Sequence, residues 1–188
     1  MDATGGKGGT PLSFMPGQKL SACTCPNSDH PGPSVNVGRG VPEIDIFETQ
    51  IDVSRFQAEV SQSYQTAPYN YQYEFVNTSD VTPIYDTSIT KFNTYKGGVY
   101  QQAISAVTDI NNANYNDQGY AVYGYEWWSN PSNRGEGFIT WVANGQKTWT
   151  MTADTIGPDS ITQISQRIVP EEPVVSLRPC LARAGMEF

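Results

Sequence analysis

Glu43, Asp45 and Glu48 fall within one short run, Glu43-Ile44-Asp45-Ile46-Phe47-Glu48. Carboxylates this close repel one another unless something uses them. Side chains alternate across a strand, so Glu43 and Asp45 share one face and Ile44 and Ile46 the other. Strict alternation would turn Glu48 into the core, where a lone carboxylate is costly. One extra residue, a β-bulge near Ile46-Phe47, reverses the register and returns Glu48 to the acidic face. An apolar residue of the bulge then packs inward beside Ile44. The chemistry open to such a strand is glycoside cleavage, in which one carboxylate is the nucleophile and another the general acid/base. Retaining enzymes hold the two about 5–5.5 Å apart. Four strand steps span roughly 13 Å between Cα atoms, so a curved sheet must close the gap. Asp45, in the middle, would polarise its neighbours and help keep the acid protonated. Two other readings stand beside this one: a solvated strand face of an acidic protein, and a calcium site. Calcium loops place a glycine at the bend, which is absent here.

Short strands with turn signals between them must position these acids. Residues 42–51 alternate apolar and acidic and read as a strand. Residues 58–66 and 70–76 carry β-branched and aromatic residues, split by Ala67-Pro68. Residues 99–110 fit a helix or a strand, and the β character of their neighbours favours strand. Residues 120–128 and 137–143 are further strands. Asn144-Gly145 is a type I′ hairpin signal leading into a strand over 147–151. The fold expected is all-β, an antiparallel sandwich or jelly roll. Residues 1–40 are a Gly/Pro-rich loop or insertion, 41–173 the sandwich domain, and 174–188 an atypical tail in which Val174-Val175 finds no strand context.

Tyr123, Tyr125 and Trp127 share one face of their strand, opposite Val122, Glu126 and Trp128. Flat rings stack on the apolar faces of sugars, and Trp127 is the first candidate for that contact. Core packing is the competing fate of either face, and Trp141 and Trp149 read as core.

Charged residues are 16% of the 188 and aromatics 12%, so many rings must build a core or line a surface. The formal net charge of −8 excludes the clustered Lys and Arg that nucleic acid or an anionic membrane requires. A neutral polymer such as a glycan suits this balance. No apolar stretch approaches the ~20 residues of a membrane span. His30 is the only histidine, and Cys23, Cys25 and Cys180 have neither zinc spacing nor a complete disulfide set. Neither a cofactor nor a metal is expected. The cysteines are either buried thiols or disulfide partners of a segment outside the chain, the latter favoured by the glycosylation sequon at Asn77. Arg39 is either a carboxylate partner or a surface charge.

The acidic run resembles the signature of glycoside hydrolase family 16 in its bulged, laminarinase-like form. With Ser21-Ala22-Cys23-Thr24-Cys25-Pro26, Asp29-His30-Pro31-Gly32-Pro33 and Gly38-Arg39-Gly40-Val41-Pro42, the chain is similar to fungal cell-wall β-glucan synthesis-associated proteins of the Kre/Skn type. Glu126-Trp127-Trp128-Ser129, Gly137-Phe138-Ile139-Thr140-Trp141, Ile156-Gly157-Pro158-Asp159-Ser160 and Pro170-Glu171-Glu172-Pro173 extend the likeness from about residue 10 to 173. It departs at Ala121, where many laminarinase-like enzymes carry a histidine. The resemblance implies a concanavalin-like jelly roll, with Glu43 as nucleophile, Glu48 as general acid/base and Asp45 as assisting carboxylate. It also implies a β-glucan ligand, a role in β-1,6-glucan synthesis, and a type II membrane protein of the secretory pathway or cell surface, anchored by a segment outside this chain. A non-catalytic glucan-binding module and a scaffold of wall assembly are the alternatives. Because the likeness begins inside a loop and stops at Pro173, the chain is expected to be a partial sandwich with exposed strand edges, little active alone.

Overall fold

A computed structural model describes residues 42–66, 74–96, 102–115 and 118–156 and the backbone of 174–178. Two sheets form. One has the order β3-β4-β2-β1-β8, from β1 (Glu43–Asp52), β2 (Gln57–Thr66), β3 (Thr90–Phe92), β4 (Gln102–Asp109) and β8 (Val174–Arg178); the other is β5-β6-β7, from β5 (Tyr123–Trp128), β6 (Phe138–Ala143) and β7 (Gln146–Thr152). All pairings are antiparallel except β8, which runs parallel to β1. This is an all-β, partial jelly-roll sandwich. Residues 174–178 are therefore a strand, which corrects the expectation that they have no strand context: their apolar pair docks on β1, Val174 opposite Glu43 and Val175 opposite Ile44. Residues 74–78 carry no regular structure, and residues 70–73 lie outside the described part. His30, Arg39 and the three cysteines lie outside it as well.

The core forms where alternating residues of both sheets meet. Ile44, Tyr64 and Ile104 of the first sheet and Ile139, Trp141, Trp149 and Met151 of the second are each at most 1% exposed. Trp141 and Trp149 stack with ring centroids 4.2 Å apart and planes 6° from parallel, and Phe92 meets Trp149 edge-on at 5.8 Å. Burying these rings is the main driving force for the sandwich. The hairpin between β6 and β7 turns on Asn144 (φ 50°) and Gly145 (φ 78°), the two positive values a type I′ turn demands.

Arg55, in the turn between β1 and β2, gathers three carboxylates. Its Nε bonds Asp52 at 2.7 Å, Nη1 bonds Asp109 at 2.8 Å and Nη2 bonds Glu59 at 2.5 Å. Glu59 is almost fully buried, and Gln50 Nε2 donates to its other oxygen at 2.8 Å. Asp109 is held below the ordinary carboxylate range chiefly by Arg55, and Asp52 by Ser54 and then Arg55. Lowered carboxylate pKa values contribute stability that is present at neutral pH and lost as pH falls through the folded values. Arg55→Met is therefore expected to lower Tm most at pH 7 and less at pH 2, because the stabilisation fades only well below the ordinary carboxylate value. Thermal unfolding at both pH values checks this; equal losses would mean the side chain contributes packing alone.

Candidate functional site

β1 carries the acids, and its register contains the bulge. Asp45 pairs with Ser63 and Glu48 with Ser61, so three steps on β1 match two on β2, with Ile46 and Phe47 both opposite Gln62. Phe47 turns inward, stacking on Tyr123 at 4.6 Å and packing against Ala58, Val60 and Ile110. The bulge thereby returns Glu48 to the side of β1 that carries Glu43 and Asp45. Both glutamates act on Asp45 through their charge, which places the three in one electrostatic neighbourhood.

Asp45 is fully buried. Its Oδ2 accepts a hydrogen bond from Gln65 Nε2, while its Oδ1 has no hydrogen-bond partner among the described residues. Burial pushes its pKa up, the charges of Glu48 and Glu43 and a hydrogen bond with Glu43 push the same way, and the Gln65 bond opposes them; the result is about 7. Asp45 is thus a carboxyl that changes charge near neutrality, flanked by two others. Ser61 and Ser63 lie on the same face of β2, their hydroxyls 3.3 Å apart. Such an arrangement can hold a proton between carboxyls and present acid and base side by side. Among the described residues no group of three His, Cys, Asp or Glu side chains could hold a metal ion.

Tyr123, Tyr125 and Trp127 sit elsewhere. They pair with Ala143, Trp141 and Ile139 on β6 and are partly buried; Tyr125 and Trp127 pack on the main core cluster and Tyr123 on the smaller one. The structure does not bring these three to the acidic face of β1. The opposite face of β5 carries Trp128, 51% exposed. Asn77 is exposed.

Three contributors to the site were missed in the sequence. Gln65 reaches Asp45 because it stands opposite Glu43 on β2. Gln62 and Trp141 bond the bulge carbonyls from the core side. The available signal was Gln62 itself, a polar residue in phase with Ala58, Val60 and Tyr64 on the inward face of β2.

The fold and site define an all-β sandwich with a bulged, three-carboxylate strand whose acids lie on the face of one sheet opposite its main core residues. The family model for beta-glucan synthesis-associated protein SKN1/KRE6/Sbg1 matches residues 2–178. The chain belongs to that family, and the match reaches five residues beyond Pro173, through β8. It is 37% identical over 170 residues to beta-glucan synthesis-associated protein SKN1 of Saccharomyces cerevisiae, covering 88% of this chain and 21% of that protein. It is also 37% identical over 167 residues to KRE6 of the same yeast, covering 87% and 22%, and 36% identical over 172 residues to KRE6 of Candida albicans, covering 87% and 22%. The chain thus spans about a fifth of the length of these relatives. No solved structure matches it. No helix among the described residues is long and apolar enough to cross a membrane.

Proposed function

We propose that this chain carries the catalytic strand of a retaining β-glucan-active glycosidase or transglycosylase acting in fungal cell-wall β-1,6-glucan biosynthesis. The observation that carries this reading is the β1 bulge, which gives Glu43, Asp45 and Glu48 a common face. A surface that only binds a neutral glycan gains nothing from three like charges on one strand face.

In this reaction Glu43 attacks the anomeric carbon and the glycosidic C–O bond breaks. Glu48 gives its proton to the departing oxygen, leaving a glycosyl ester on Glu43. Water or another sugar hydroxyl then attacks the same carbon, its proton passes to Glu48, and Glu43 leaves as carboxylate. Asp45 sits between them, and in its protonated form it adds no charge to the pair. The proposal places the protein on the lumenal side of secretory membranes or at the cell surface, where exposed Asn77 would accept a glycan.

The test is to incubate the chain with a 2-deoxy-2-fluoro β-glucosyl fluoride, which forms the ester quickly and releases it slowly. Peptide mass spectrometry is expected to find one added sugar on Glu43. A label on another residue would reassign the nucleophile, and no label together with no glucan turnover would reject the activity.

A further inference from the structure

Among the described residues each sheet carries a β-bulge, and the two are joined across the core. In β1, Ile46 and Phe47 lie opposite Gln62. In β7, Thr148 is the extra residue, since Trp149 pairs with Trp141 and Lys147 with Val142. Gln62 is fully buried between them. Its Nε2 donates to Ile46 O at 3.0 Å and to Val142 O at 3.2 Å, and its Oε1 accepts from the Thr148 hydroxyl at 2.6 Å. Both amide hydrogens and the amide oxygen are used. A second tie runs alongside: Trp141 Nε1 donates to Asp45 O at 2.9 Å, and the Trp141 carbonyl lies 3.2 Å from the Thr148 hydroxyl.

We infer that Gln62 is a positioning residue for the acid strand. By fastening the β1 bulge to the β7 bulge, it fixes how many residues separate Asp45 from Glu48 on their common face. The inference rests on the roles proposed above for those acids. A bulge is a local departure from the ladder, and a strand can relax out of it by shifting one residue. Here that shift would carry Ile46 O away from Gln62 and leave buried polar groups of both sheets without partners, which is expensive. An apolar side chain at position 62 removes this bias. The Ile46 and Val142 carbonyls then lose the Gln62 amide whether or not the bulge persists, and the Thr148 hydroxyl falls back on the Trp141 carbonyl. Relaxation of β1 toward regular pairing becomes cheap, and it turns Glu48 away from Asp45.

Gln62→Met in the full chain tests this, with Ile104→Ala as a core variant on β4 and Trp141→Phe as a second probe of the bulge. Asp45 is followed by carboxyl carbon NMR across pH, and β-glucan turnover as kcat and KM. In Gln62→Met the Asp45 midpoint is expected to fall toward the ordinary carboxylate range as Glu48 leaves its side. kcat is expected to drop roughly 10–10²-fold with KM nearly unchanged, the size of effect that misplacing a reacting group produces. Ile104→Ala is expected to lower Tm and leave the midpoint where it was. Trp141→Phe should shift the midpoint in the same direction, and it decides the matter if Gln62→Met does not fold. An unmoved midpoint in the bulge variants that fold overturns the inference. If the unaltered chain turns over no glucan, the proposed activity fails, while the Asp45 midpoint still decides whether Gln62 holds the bulge.

Discussion

Glu48→Gln is expected to lower turnover of a β-glucan by about 10²–10⁴-fold, the range that a positioned general acid supplies. Glu43→Gln should lower it at least as far, because no glycosyl ester can form. Gln keeps the shape of Glu and removes a charge beside Asp45, so neither variant should lose its fold. The two differ in what restores them. A substrate whose leaving group departs without a proton, such as a dinitrophenyl glycoside, bypasses the acid, and Glu48→Gln should then form the ester at close to the unaltered rate. Glu43→Gln should remain inactive on both substrates. The initial burst of dinitrophenolate release from the activated glycoside and steady-state rates on β-glucan, with circular dichroism for the fold, check all four outcomes. A β-glucan rate equal to that of the unaltered chain in either variant would mean that the roles belong to other residues.

What could be read from the residues alone was local. The bulge was legible because its absence would bury Glu48, a cost large enough to decide the register before any partner strand is known. The β6–β7 hairpin was legible because Asn144-Gly145 accepts two positive φ angles that other pairs resist. Contacts set by distant strands were not. Val174-Val175 becomes a strand only by docking on Glu43 and Ile44, about 130 residues earlier, and no local pattern announces that. Alternation placed Tyr123, Tyr125 and Trp127 on a common face but could not say which face the other sheet covers. The parallel case is Gln62: a polar residue at an inward position signals a buried partner without naming it. Its partners, Ile46 and Val142 carbonyls and Thr148, come from three different strands.

Asp45→Asn is expected to stabilise the chain at neutral pH and to change little in acid. The Asp45 carboxyl titrates at about 7 in the folded chain against an ordinary 3.8. Between those values the folded state holds a proton that the unfolded state has released, so stability falls as pH rises. The contribution is fully present below pH 3.8 and lost as pH climbs through 7. Beyond that, folding must bury a charged carboxylate between two others. The difference of about 3 units corresponds to at most about 4 kcal/mol, at 1.36 kcal/mol per unit. Asn mimics the protonated carboxyl: it keeps an oxygen to accept from Gln65 and carries no charge for Glu43 and Glu48 to repel. Asp52, Asp86 and Asp109, all held below the ordinary range, slope the other way and do so in both proteins. They cancel when the variant is compared with the unaltered chain. Urea unfolding from pH 4 to pH 8 should therefore give two curves that nearly coincide at pH 4 and separate upward through pH 7, with the Asn variant the more stable. Parallel curves would show that Asp45 is charged throughout, and the picture of a proton held among the three carboxyls would fall with it.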